Sequence, residues 1–481
     1  MPELQNAVHA HPIIIFQYLK RFLFLLIIPL ARGFLYALRG GVLLWLQGAW
    51  LDLLVLGLIL ALSWGKWFKF KYYMDESTFY YTTGIFFQRE FAIPLHRISS
   101  FTLFKPFWLR PFRVVRLRLD TIARSPTQAD LELYLDARQA QSLMDRRRRD
   151  PVVREDGSAQ VLPSRWEVLL FSLFTSNSLW GILFVSAFIS QAGKLIGQRL
   201  SALLFSTFEE LSRLILAGMP PVLGGMVLIL IGGWLVAFFR NLLQAKGLYA
   251  QRTPSTLQMG GGVLVARESS LRLQDISFLD LRQSLFTRLL GLYSVFVSGI
   301  GLGKGQEDLP VLSPFSTQRQ TLERLRRLAP EFVPASRQLR PNAGAIMKFL
   351  WLPLLPCLLL PLATNFAIRL LPSWRMVLEF CGGMLSLPAL WFLGVRVLDF
   401  CSSGVGYAHG YYTIRYSSRF SLHCVVFSAD KLARVELRQS PMQQFGNRCD
   451  LLLFTRAEGR QRHRLRNLDL DGCRALFGLG S

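Results

Sequence analysis

The sequence predicts an α+β membrane protein with six membrane-spanning helices in three pairs, each pair followed by a strand-rich basic module that ends in a helix. Apolar runs reach the length that crosses a bilayer, about 20 residues. A strand-like stretch recurs three times along the chain. The net charge of +24 lies mainly between the apolar runs. Together these three observations define a repeated unit of two apolar segments and one basic module.

The chain divides in order into alternating membrane and module segments. Paired spans are expected at 1–69 (with an N-terminal lead-in), 166–240 and 341–399, and modules at 70–165, 241–340 and 400–481. The individual spans are predicted near residues 21–38, 42–64, 169–189, 221–239, 346–368 and 376–397. The start of the second span stays open, because Asp52 lies inside the membrane if the span begins near Val42 and at the interface if it begins near Trp50. A helix is expected at the end of each module.

The recurring stretch is clearest in its last two copies, which share Leu-Arg-Gln-Ser at identical offsets. Apolar and polar residues alternate ahead of the motif, which predicts a half-buried strand. The first copy, beginning at Ile98, is the most diverged. The motif residues in the later copies are Ile276, Arg282, Gln283 and Ser284, and Leu432, Arg438, Gln439 and Ser440.

Strand alternation predicts which of these side chains are buried. Leu281 and Leu437 are expected to face the interior, and the polar residues beside them to face outward: Asp280, Arg282, Glu436 and Arg438. Two interpretations of the arginines stay open. Their guanidinium groups could donate to backbone carbonyls at the turn that follows. They could instead contact lipid phosphate or a neighbouring module.

The distribution of charge predicts the topology and the partner. Residues 66–165, 240–348 and 396–481 carry net charges of +7, +8 and +6. With an even number of spans, the positive-inside rule places all three modules and both termini in the cytoplasm. Because the basic modules are tied to membrane segments, anionic lipid is the expected partner rather than nucleic acid.

Arginine clusters are the candidate contacts with lipid or with a partner protein. They are Arg146, Arg147, Arg148 and Arg149 in the first module and Arg324, Arg326 and Arg327 in the second, together with Arg282 and Arg438. Charged helices are also commonly solvated faces with no ligand, and that alternative stays open.

The segment Pro94-Leu95-His96-Arg97-Ile98, followed by the repeated strand, resembles the YdbT-like membrane-flanked proteins of bacteria. The resemblance covers nearly the whole chain. It implies three copies of a bacterial pleckstrin-homology-type domain, a β-sandwich or barrel of two antiparallel sheets capped by a C-terminal helix, at the bacterial cytoplasmic membrane. The second module departs from the motif at Arg272 and Asp275, and the third at Lys431. The family has no established catalytic residues.

The sequence has no recognisable catalytic, metal-binding or cofactor-binding motif, so no cofactor or metal is expected and the chain is not expected to be an enzyme. The favoured hypothesis is a membrane scaffold whose modules bind lipid or protein at the inner leaflet, in envelope maintenance or stress defence. The alternative is a transporter or export component that uses the six helices. Another membrane protein is the second expected partner, and the oligomeric state stays open.

Overall fold

The computed structural model describes residues 8–16, 42–75, 77–85, 87–121, 131–148, 159–175, 206, 210, 221–299, 302, 310–456 and 460–479. The chain forms two compact units. The first contains Met1–Arg154 and Val265–Ser270, and the second contains Glu155–Leu264 and Leu271–Ser481.

The first unit contains two groups of antiparallel strands. Strands β1 to β4 form one sheet in chain order. In the other group β6 lies between β5 and β7, and β5 also neighbours residues 265–270 of strand β11. The elements are β1 (Val8–His9), α1 (Val42–Lys69), β2 (Lys71–Met74), β3 (Thr78–Thr83), β4 (Arg89–Pro94), β5 (Ile98–Pro106), β6 (Val114–Thr121), β7 (Leu131–Asp136), α2 (Ala137–Arg148) and β11 (Val265–Arg272).

The second unit holds the remaining elements. They are β8 (Ala159–Val161), α3 (Arg165–Thr175), α4 (Pro221–Ala245), β9 (Tyr249–Arg252), β10 (Thr256–Gly261), β12 (Ile276–Ser284), α5 (Leu285–Leu289), β13 (Leu292–Gly299), β14 (Val311–Thr317), α6 (Gln318–Leu328), α7 (Ile346–Leu370), α8 (Arg375–Ser402), β15 (Gly404–Ala408), β16 (Tyr411–Ser418), β17 (Ser421–Ser428), β18 (Leu432–Arg438), α9 (Pro441–Phe445), β19 (Arg448–Arg456), β20 (Arg460–Asp469) and α10 (Leu470–Phe477).

The central sheet of the second unit is shared by two of the predicted modules. Its strand order is β14-β13-β12-β17-β16-β15, so β12 of the second module pairs with β17 of the third. The pairing is antiparallel, with Leu279 opposite Val426 and Ser284 opposite Ser421. An interpretation that treats each module as a self-contained sandwich is therefore wrong for this sheet. Alternation shows which face of a strand is apolar, but it does not identify the neighbouring strand.

The shared sheet separates two hydrophobic cores, and both faces of β12 are covered. Leu279 and Leu281 pack in one core with Val426, while Phe278 packs in the other with Val425 and the strands of the three-stranded sheet β18-β19-β20. A strand covered on both sides buries every residue in its middle, polar residues included. Polar residues in the middle of β12 are therefore buried, whichever face of the strand they lie on.

Three helical segments within the described residues are long and apolar enough to cross a membrane: Val227–Ala245, Ala343–Leu370 and Pro372–Ser402. They correspond to the predicted fourth, fifth and sixth spans. Helix α1 covers the predicted second span but is not among them. The predicted first span and most of the third lie outside the described residues. Six spans were predicted, and the described residues contain three helices that could serve as spans.

Helices α7 and α8 lie against each other. The Cα of Gly382 approaches Thr364 so closely that an added Cβ would come within 2.4 Å of the Thr364 hydroxyl oxygen. Phe349 near the start of α7 and Phe400 near the end of α8 make an edge-to-face ring contact at 5.6 Å. The two helices therefore run in opposite directions, joined by the short turn Pro372–Trp374.

The last turns of α8 are buried in protein. Arg396 Nη1 donates to Ser417 Oγ at 2.7 Å and to Asp399 Oδ2 at 3.3 Å, and Ser417 Oγ donates to Asp399 Oδ2 at 2.7 Å. All three side chains are buried. A charge pair that is buried requires such hydrogen-bonded partners. The cluster ties the end of α8 to strand β16.

Candidate functional site: an arginine-lined cavity beside the repeat turn

The end of strand β12 forms one wall of the candidate site. Leu281 is buried, as its alternation predicts, but Asp280 is buried as well, at 3% exposure. The prediction that Asp280 faces solvent is wrong, because β17 and the third module's core cover that side of the strand. His423 Nδ1 lies 2.9 Å from Asp280 Oδ2, and Arg282 Nε donates to the same oxygen at 2.5 Å. Arg282 itself is partly exposed and lies over the Phe296 ring.

The corresponding residues of the third module repeat this arrangement at an exposed position. Arg438 Nε donates to Glu436, and both side chains are more accessible than the Asp280 carboxylate. Leu437 is half-buried against the core. The interpretation in which Arg282 and Arg438 bond backbone carbonyls at the turn is wrong. Each arginine pairs instead with the acidic residue two positions before it.

The glutamine of the motif supplies the contact with a backbone carbonyl. Gln283 Nε2 donates to the Leu292 carbonyl at 2.9 Å, and Gln439 Nε2 donates to the Arg448 carbonyl at 2.8 Å. In both cases the acceptor lies at the start of the next strand. The motif therefore fixes the connection between two consecutive strands.

The serine of the motif begins a short helix that the sequence reasoning missed. Ser284 Oγ accepts from the Thr287 amide at 3.3 Å, and Thr287 Oγ1 accepts from the Ser284 amide at 2.7 Å, at the start of α5. The Ser440 amide donates to Gln443 Oε1 at 3.0 Å at the start of α9. The spacing Ser-x-x-Gln at Ser440 is that of a capping box, so the sequence carried a signal for the start of α9.

The first-module motif residues lie at the start of strand β5. Pro94 ends strand β4, Arg97 is exposed in the helical turn that follows, and Ile98 is buried. Ile276 occupies the same place in the second module and is buried, and Leu432 in the third is half-buried. Farther along β5, Lys105 Nζ forms an ion pair of 2.7 Å with Glu268.

The predicted arginine clusters are placed differently from one another. Arg146, Arg147 and Arg148 end helix α2, and their side chains, like Arg149, lie outside the described residues. Arg324 is engaged inside the protein, with Nη2 donating to Glu167 at 2.7 Å and Nη1 to Ser313 at 3.0 Å. Arg326 and Arg327 are exposed on α6. Arg324, Arg326 and Arg327 are not among the described residues that line the cavity beside the Gln283 turn.

A cavity of about 200 Å³ lies beside the Gln283 turn. Its lining combines apolar residues with polar and cationic ones, and the latter include Gln283, Arg288, Tyr293, Ser402, Arg415 and His423. Arg288 Nη1 lies 3.0 Å from Gln283 Oε1 and 3.1 Å from the Tyr293 hydroxyl. Arg415 Nη2 donates to the Ala335 carbonyl at 2.6 Å, whereas its Nη1 is buried with no hydrogen-bond partner among the described residues.

Further arginines near the cavity raise the positive electrostatic potential there. Burial, and then the charges of Arg340, Arg415 and Arg288, lower the pKa of Arg337, which donates to the Cys401 carbonyl at 2.8 Å. No Asp or Glu is among the described residues that line the cavity. Crowded guanidinium groups without a carboxylate favour an anion, and arginine is especially suited to phosphate.

Sequence reasoning did not find Arg288, Arg337, Arg340 or Arg415. They are scattered along the chain and are brought together by the pairing of β12 with β17. Only Arg288 had a local signal, because it lies four residues after the last residue of the repeat motif. Among the described residues, no group of three or more His, Cys, Asp or Glu side chains is arranged to hold a metal ion.

Comparison with known proteins finds one family. A family model described as "Bacterial PH domain" matches residues 22–149 and again residues 201–328. The two matches cover most of the first two predicted modules, together with the two apolar segments before the first and one apolar segment before the second. No curated protein and no solved structure gives a significant match to the chain.

Proposed function

Because the chain belongs to the bacterial PH domain family, we propose that it is a non-enzymatic integral membrane protein whose PH-type modules bind anionic lipid headgroups at the membrane surface. A lipid- or protein-binding role is compatible with this family. The proposal places the chain in the bacterial cytoplasmic membrane, with the modules and both termini in the cytoplasm. The +7, +8 and +6 charges of the module segments support that orientation.

The observation that carries this proposal is the arginine-lined cavity at the end of a membrane-length helix. Ser402, the last residue of α8, lines the cavity together with Arg288 and Arg415. Headgroup phosphates lie just outside the hydrocarbon, and Arg288 reaches the cavity from α5, whose Phe286 ring contacts Trp391 in the C-terminal half of α8. Arg415 Nη1 is buried without a hydrogen-bond partner among the described residues, so a phosphate oxygen that bound it would satisfy a buried donor. Each cation close to an anionic membrane surface contributes roughly 1 kcal/mol to binding.

We also propose that residues 400–481 are a third PH-type module, as in the YdbT-like proteins that the chain resembles. Strands β15 to β20 followed by α10 repeat the strand-then-helix order of β9 to β14 followed by α6. The repeat motif recurs at the same place, with Gln439 bonding a carbonyl as Gln283 does. The three modules together form a scaffold at the inner leaflet, in envelope maintenance or stress defence.

The experiment measures which lipids the full-length protein retains after purification in mild detergent. The double variant R288Q/R415Q is compared with R326Q/R327Q, which removes two exposed cations away from the cavity. We expect loss of bound anionic lipid in the first variant and retention in the second. The single variant R288Q, with its melting temperature measured alongside, separates a loss of binding from a loss of folding.

Two results would contradict the proposal. Equal loss of anionic lipid in both double variants would mean that diffuse surface charge holds the lipid. Full retention in R288Q/R415Q would mean that the cavity holds no headgroup.

A further inference from the structure

Each repeat strand is followed by a turn or short helix that exposes large apolar side chains. After β12, helix α5 and the residue beyond it expose Phe286, Leu289 and Leu290. After β18, helix α9 exposes Met442 at 88% and Phe445 at 95%. After β5, Phe107, Trp108 and Phe112 are exposed as well. We call the first two sets the α5 tip (Phe286, Leu289, Leu290) and the α9 tip (Met442, Phe445).

The exposure in α5 and α9 is built into the local structure. Both helices begin with the serine of the motif in a capping box, which fixes the backbone at the end of the strand. With the helix fixed, the buried residues Thr287 and Gln443 face inward and the apolar side chains face outward. Clustered exposed apolar residues on short rigid elements indicate an interaction surface.

The α5 tip lies beside a membrane-length helix. The Phe286 ring contacts the Trp391 ring edge-to-face, with centroids 4.6 Å apart. Leu285 packs against Gly394, where an added Cβ would come within 3.2 Å of its methyl groups. Trp391 and Phe392 precede the buried end of α8, and aromatic residues near the end of a spanning helix are typical of the membrane–water interface.

The α9 tip is tied to the other membrane-length helix. Asp450 Oδ1 accepts from Gln443 Nε2 at 2.9 Å and from Lys348 Nζ at 2.8 Å. Lys348 is in the first turn of α7, while Trp391 and Gly394 are in the C-terminal half of α8. Because α7 and α8 run in opposite directions, the start of one and the end of the other lie at the same end of the pair. Both tips are therefore at that end.

We propose that the α5 and α9 tips insert into the headgroup region of the same bilayer that α7 and α8 cross. The inference rests on the proposed membrane location and extends it from binding in the cavity to a second, apolar contact. The occupant is lipid, because both tips lie at one end of the apolar helix pair and both have cations close by, Arg288 and Arg448. Apolar and aromatic side chains flanked by cations are the composition of interfacial membrane anchors.

The test uses a photo-crosslinking amino acid in the full-length protein, reconstituted in vesicles of phosphatidylethanolamine and phosphatidylglycerol. The probe replaces Leu289 in one sample and Phe445 in another. A third sample carries it at Arg319, an exposed residue on α6. A fourth carries it at Leu385, an exposed residue within α8. Adducts are identified by mass spectrometry.

We expect lipid adducts at positions 289 and 445 in yields comparable with position 385 and far above those at position 319. Adducts at 385 with none at 289 and 445 would overturn the insertion of the tips while leaving the membrane location intact. Absence of lipid adducts at 385 would overturn the membrane location itself. If the probes at positions 289 and 445 crosslink to protein and not to lipid, the tips contact a protein surface, and the inference is overturned.

Discussion

Asp280 of the second module and His423 of the third face each other across two paired strands, with His423 Nδ1 2.9 Å from Asp280 Oδ2 although the two residues are 143 positions apart in sequence. Burial alone would raise the pKa of Asp280, but the hydrogen bond and charge of His423 and the charge of Arg282 outweigh it and lower that pKa. The carboxylate thus stays ionised inside the shared sheet. It links the two modules electrostatically where β12 and β17 pair.

Replacing Asp280 with alanine is expected to destabilise the second unit by about 3 kcal/mol, because breaking a buried charge pair leaves its partners uncompensated. The measurement is thermal unfolding of the full-length protein in detergent. The control is Glu436→Ala, which removes the equivalent acidic residue at an accessible pair. A shift in melting temperature no larger than that of the control would show that Asp280 does not stabilise the joint.

The Gln283→Ala variant is expected to lose about 1–2 kcal/mol of stability, because the Leu292 carbonyl loses its donor at a buried position. The matched control is Gln439→Ala, since Gln439 makes the same contact while exposed to water. Water can replace the lost donor there, so we expect a much smaller change. Denaturant unfolding curves of the two variants compare the effects, and equal losses would contradict the explanation.

His463 gives the second unit a stability that depends on pH. Burial lowers its pKa to about 4, and the imidazole is held between the Tyr416 hydroxyl and Thr455. The unfolded state takes up this proton near pH 6.5, so stability is expected to fall as the pH drops from 6.5 to 4, by up to about 3 kcal/mol. Above pH 6.5 this residue contributes no pH dependence.

The variant His463→Gln is expected to flatten that part of the stability profile, measured as melting temperature against pH. His409→Gln is the control, because His409 is exposed on a turn. An unchanged slope in H463Q between pH 6.5 and 4 would assign the acid sensitivity to another group.

The proposed topology is checked by reporter fusions ending at residues 120, 300 and 460. We expect a cytoplasmic signal from all three, because each position lies in one of the three basic modules. The control is a fusion within the turn at Pro372–Trp374, which joins α7 and α8 and is expected to report from the opposite side. An external signal at 120, 300 or 460 would be incompatible with the proposed orientation.

The repeat strand shows which features of the fold could be predicted from the sequence and which could not. Alternation placed Leu281 in the interior, and the motif located two equivalent turns in the chain. The same alternation placed Asp280 outside, because it assumes that one face of the strand meets water. That assumption fails where β17 completes the sheet and a second core covers the other face.

The cavity could not be predicted for the same reason. Arg288 and Arg415 become neighbours only through the pairing of β12, β17 and β16. Long-range strand pairing leaves no local pattern in the residues that it brings together. The arginines that looked conspicuous in the sequence did so because they were adjacent in the chain, and Arg324 turned out to be engaged with Glu167.

The shared sheet also sets an order of events during biosynthesis. Strand β12 is made before α7 and α8, and its neighbour β17 is made after both. Until residues 421–428 have left the ribosome, one edge of β12 has unpaired backbone groups, which can pair wrongly with another chain. The sheet is therefore completed only after α7 and α8 have been synthesised. In a polypeptide truncated before β17, β12 would lack its neighbouring strand. A complete shared sheet can form only in a chain in which both apolar helices have already been made.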